Sequence, residues 1–80
     1  MKASVTITLK NGVLDPQGKA IEHALGSLGF TGINGVRQGK LIELDLEETD
    51  TQRAHAALDD MCRKLLANTV IEDYKISISD

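Results

Sequence analysis

Phe30 and Tyr74 are the only aromatic side chains in this 80-residue chain, which has no tryptophan. An RNA-recognition domain stacks bases on exposed aromatics of its central strands, and neither residue is placed for that. Cysteine is as scarce. Cys62 stands alone, which excludes a disulfide within the chain and a CxxC metallochaperone site. Together with His23 and His55 it cannot supply the four ligands of a structural zinc. Charge of one sign is also missing. The net charge is −3 with no long run of either sign, so the basic field of a nucleic-acid or anionic-membrane binder is absent. No stretch approaches the roughly 18 apolar residues of a membrane span. The first residues, Met1-Lys2-Ala3-Ser4-Val5-Thr6, alternate polar and apolar and do not read as a signal peptide. A cytoplasmic protein with no nucleic-acid and no membrane partner is expected.

Hydrophobic content is 41%, and with so few aromatics the core has to be built from Ile, Leu, Val and Ala. Residues 1–80 are read as a single domain. A core of this size supplies only about 3–5 kcal/mol of net stability. With disulfide and zinc excluded, a homodimer or higher oligomer is the expected extra source.

Ala3, Val5, Ile7 and Leu9 alternate with polar residues, the period of a half-buried strand. Asp15-Pro16 reads as a helix start, with the carboxylate capping free N–H groups and Pro in the first turn. Ile21, Ala24, Leu25 and Leu28 share one helical face, and Gly29 is placed to end the helix left-handed. Ile33 and Val36 suggest a weak second strand, bulged at Gly35, with a tight hairpin at Gln38-Gly39. Ile42, Leu44 and Leu46 mark a third strand. Thr49 with Gln52 matches a capping box. Ala54, Ala57, Leu58, Met61, Cys62, Leu65 and Leu66 then form the best amphipathic helix, with Asn68 as a left-handed terminator. Tyr74, Ile76 and Ile78 give a fourth strand.

The order βαββαβ predicts an α+β, ferredoxin-like fold: a four-stranded antiparallel sheet with two helices on one face. The outer sheet face, with Ser4, Thr6, Thr8, Ser77 and Ser79, carries little charge and suits burial against another subunit.

No chemistry assembles from these pieces. Cys62 lies on an apolar stripe, where a packed thiol is the ordinary outcome. His23 and His55 share no helix face and lack an i+4 partner. The carboxylates fall on alternating or helical-surface positions. Gly35-Val36-Arg37-Gln38-Gly39-Lys40-Leu41 fails as a phosphate loop, because its glycine spacing is one short and Leu41 replaces the Ser/Thr. No catalytic, cofactor-binding or metal-binding residue is assigned.

The expected topology gathers three connections at one end of the sheet: Val13 to Gly18, Arg37 to Lys40, and Leu65 to Tyr74. In these stretches the sequence resembles the PurS family, the small subunit of phosphoribosylformylglycinamidine synthase. Leu14-Asp15-Pro16-Gln17-Gly18 and Asn68-Thr69-Val70-Ile71-Glu72-Asp73-Tyr74 carry the resemblance together, and Glu43-Leu44-Asp45-Leu46 and Leu28-Gly29-Phe30 fit it too. It runs from the first strand to Tyr74. The resemblance implies a non-catalytic, dimeric subunit that bridges a glutaminase subunit and a large synthetase subunit and supports ammonia transfer between them. The complex would use ATP, magnesium and glutamine, with no cofactor on this chain. Candidate partner contacts are Asp15, Gln17, Arg37, Gln38, Lys40, Asn68, Glu72 and Tyr74. The alternative of another class is an ACT-like regulatory domain that binds a small molecule on the same plan.

Overall fold

The computed structural model describes residues 1–79. Strand β1 (Lys2–Leu9) is followed by helix α1 (Pro16–Ser27), strand β2 (Gly39–Asp45), helix α2 (Thr51–Met61) and strand β3 (Glu72–Ser79). A π-helical turn, Cys62–Leu66, extends α2. The sheet is antiparallel in the order β2-β1-β3. Val5 faces Ile42 on one side and Ile76 on the other, so the alternating apolar residues of all three strands fall on one face. There Val5, Ile7, Leu58 and Cys62 are fully buried, and Ile42, Leu44, Tyr74, Ile76 and Ile78 pack around them. Each large aliphatic so buried contributes about 1.5–3 kcal/mol.

The expected four-stranded sheet is not formed. Among the described residues the sheet has three strands, and residues 30–38, where the second strand and the Gln38-Gly39 hairpin were expected, contain no strand. Ile33 and Val36 do not alternate, so pairing would bury one and expose the other. Gly32 moreover sits at φ +82°, outside the extended region of a strand. The missing strand would have lain beside β2, whose outer edge therefore stays unpaired.

The second correction concerns the helices. Only α2 packs on the sheet, while α1 leaves it at one end. The molecule is elongated, 48 × 26 × 15 Å, with a radius of gyration of 16.0 Å, against about 12 Å for a compact domain of this length. Smaller expectations shift as well. The α2 cap is Asp50, whose side chain accepts from the Gln52 amide at 2.9 Å, rather than Thr49. No residue other than glycine has positive φ among the described residues, so Asn68 is not the left-handed terminator. The helix ends through the wide π turn, with the Ala67 amide donating to the Cys62 carbonyl at 2.9 Å. Gly29, at φ +94°, does end α1 as expected.

Candidate functional site

The three connections gather at one end of the sheet. Pairing of Thr8 with Gly39 and of Leu9 with Glu72 brings the end of β1 to the starts of β2 and β3, and the Lys10 amide donates to the Ile71 carbonyl at 2.8 Å. A cleft of about 410 Å³ opens here. Ile7, Leu9 and Pro16 supply apolar lining, and Asp15, Gln17, Gln38, Lys40 and Glu72 supply polar groups.

Asp15 holds this end together. Its Oδ1 accepts from the Gly18 amide at 2.9 Å, the cap predicted from Asp15-Pro16, and its Oδ2 accepts from the Gln38 amide at 2.8 Å. The Gln38 amide first, then the Gly18 amide, hold its carboxyl below the usual carboxylate range, with the Arg37 charge adding to the effect. Arg37 donates through Nη2 to the Leu9 carbonyl. Lys40 lies 3.8 Å from Glu72 Oε2. Glu72 Oε1 accepts from the Asn68 amide at 2.7 Å, and Asn68 Oδ1 from the Val70 amide at 3.2 Å. Gln17 is exposed on the cleft rim.

Seven of the eight candidate contacts thus lie together. Arg37, Gln38 and Lys40 do not form the expected free hairpin tip. Each is engaged within the chain, Gln38 just before β2 and Lys40 inside it. Tyr74 stands apart. Its side chain lies on the core side, under α2, where the hydroxyl meets Asp59 Oδ1 at 2.5 Å. That bond to a carboxylate, with burial second, raises the Tyr74 pKa. Arg63 approaches the other Asp59 oxygen at 3.1 Å. Cys62 is fully buried, and burial raises its pKa, the opposite of what a reactive thiolate requires. His23 and His55 are exposed on different helices. Among the described residues, no three His, Cys, Asp or Glu side chains cluster as a metal site, and no helix is long and apolar enough to cross a membrane.

The larger feature that sequence reading missed is the unpartnered apolar surface. Leu14, Ile21, Leu28, Phe30 and Ile33, on and around α1, are exposed, Leu28 at 74% and Phe30 at 58%. Leu65, at 83%, and Val70, at 82%, are also exposed in the segment after α2. The i, i+3, i+4 pattern of α1 carried the signal that this face is apolar, but not what covers it.

Fold and site together define a small α+β protein of the interaction type, with an apolar helix face and an open strand edge that the single chain leaves unfilled. The chain belongs to the PurS family: residues 2–80 match the family described as PurS, phosphoribosylformylglycinamidine (FGAM) synthase. It is 46% identical over 79 residues to the phosphoribosylformylglycinamidine synthase subunit PurS of Bacillus subtilis, covering 99% of this chain and 93% of that one. The crystal structure of Methanocaldococcus jannaschii PurS, a subunit of formylglycinamide ribonucleotide amidotransferase, matches with a TM-score of 0.86 at 45% identity, covering 95% of this chain and 92% of that one. A chain of the PurLQS structure from Thermotoga maritima matches with a TM-score of 0.86 at 29% identity, covering 95% and 93%.

Proposed function

We propose that this chain is the small subunit of a phosphoribosylformylglycinamidine synthase of purine biosynthesis, acting as a dimer that bridges the glutaminase and large synthetase subunits. The observation that carries it is the full-length PurS match joined to the similarity with a chain of a PurLQS assembly. The exposed apolar face of α1, the open edge of β2 and the elongated shape support pairing with a second copy. The cytoplasm is where such a complex works.

The chain's contribution is geometric. Ammonia released from glutamine in one subunit has to reach the ATP- and magnesium-using site of another before it escapes or is protonated. Holding two proteins in register needs binding energy alone, with no reactive side chain. The end of the sheet with its cleft, carrying Asp15, Gln17, Arg37, Gln38, Lys40, Asn68 and Glu72, is the surface proposed to meet the larger subunits. The test is capture of the purified glutaminase and synthetase subunits on the immobilised chain with glutamine, magnesium and ADP present. Retention of both supports the bridging role, and retention of neither contradicts it.

A further inference from the structure

Helix α1 is held to the rest of the chain at its first turn. Its remaining side-chain bonds stay within the helix, as the Ser27 hydroxyl to the His23 carbonyl at 3.1 Å and Lys19 to Glu22 at 3.6 Å show. Among the described residues its body makes no extensive contact with α2 or the sheet. At twelve residues it is about 18 Å long, so a tilt of about 20° at its base carries the far end about 6 Å.

We infer that Asp15 is a positioning residue: its carboxylate, shared between the Gly18 and Gln38 amides, sets the direction in which α1 leaves the sheet and so where its apolar face is delivered in the assembly. One oxygen holds a free donor of the helix's first turn, and the other holds the amide that precedes β2. The β2 end of this link is itself fixed. Gly39 lies so close to β1 that a Cβ there would stand 2.5 Å from the Ile7 carbonyl oxygen, and Arg37 reaches across to the Leu9 carbonyl. The helix end is equally close. A Cβ on Gly18 would fall on the Val36 carbonyl oxygen and stand 2.7 Å from Asp15 Oδ2. The carboxylate therefore joins two backbone segments in contact, at the one place where rotation of α1 would begin.

The direction of α1 is a property of the single chain, and its consequence for assembly rests on the dimer reading above. Spin labels at Ser27→Cys and Glu43→Cys, in a Cys62→Ala background, report the distance from the far end of α1 to β2. Excess unlabelled protein keeps that distance within one chain. A narrow distribution is expected with Asp15 and a broad one in Asp15→Ala. Asp15→Asn keeps one acceptor, and it should fall between. Dimer dissociation, followed by sedimentation, should strengthen about tenfold in Asp15→Ala, with Asp15→Asn again intermediate. A distribution in Asp15→Ala as narrow as in the parent overturns the positioning role, whatever the dimer does. A broadened distribution with unchanged dimer dissociation overturns the link to assembly. A parent protein that stays monomeric sinks the dimer reading, while the distance measurement still decides the role of Asp15.

Discussion

The Tyr74 hydroxyl donates to Asp59 Oδ1 across 2.5 Å and ties β3 to α2. Because Tyr74 is the only tyrosine, its near-ultraviolet titration reports this bond alone. The phenol should ionise above the ordinary tyrosine range, and Asp59→Asn should bring it back towards that range. A raised native pKa means that the folded state keeps its proton longer than the unfolded one. The stabilisation is present below about pH 10 and is lost as pH rises through the native value. Tyr74→Phe should lower the denaturant midpoint at neutral pH and remove that alkaline loss.

Acid should act through Asp15, with the opposite sign. Its native pKa is depressed, by the Gln38 amide and then the Gly18 amide, so its stabilisation is full at neutral pH. It is lost as pH falls below about 4 and through the native value. Lys2 depresses Asp45 in the same way through a hydrogen bond at 3.1 Å. The Gln38 amide shift in an NMR acid titration separates the two. Its transition should lie below the usual aspartate range in the parent, survive Asp45→Asn and vanish in Asp15→Asn.

Charge on the apolar face of α1 should dissociate the protein without unfolding its sheet. Ile21→Glu with Leu28→Glu is expected to give a sedimentation mass of 8.7 kDa where the parent gives twice that. The far-ultraviolet spectrum should be retained, because neither side chain belongs to the β1–β3–α2 core. A parent of 8.7 kDa across a wide concentration range would refute the dimer.

Arg37→Ala with Lys40→Ala tests the end of the sheet as a docking surface. Both side chains are exposed, so loss of the Leu9 and Glu72 contacts should cost about 1 kcal/mol or less. Binding to the larger subunits should weaken, most at low ionic strength where charge attraction is least screened. Unchanged binding there would move the interface elsewhere.

Three strands and α2 were legible because their apolar residues keep one period throughout: two in Ala3-Val5-Ile7, Ile42-Leu44 and Tyr74-Ile76-Ile78, and helical spacing from Ala54 to Leu66. Local chemistry was legible too where it spans a few residues, as in the Asp15 cap and the Gly29 terminus. The false second strand came from reading two apolar residues at the wrong spacing among three glycines. The detachment of α1 could not be read at all. Ile21, Leu25 and Leu28 make the same stripe whether they cover their own sheet or another chain. The links of Asp15 to Gln38 and of Tyr74 to Asp59 join residues far apart in sequence, and no local pattern announces them.

Reconstitution of the glutaminase and synthetase subunits with and without this chain tests the central claim most directly. Glutamine and then excess ammonium salt serve as nitrogen donor, and amidine formation is measured. A coupling scaffold predicts that omitting the chain abolishes the glutamine-dependent reaction while the ammonium-dependent one persists. Full glutamine-dependent synthesis without the chain would contradict the account.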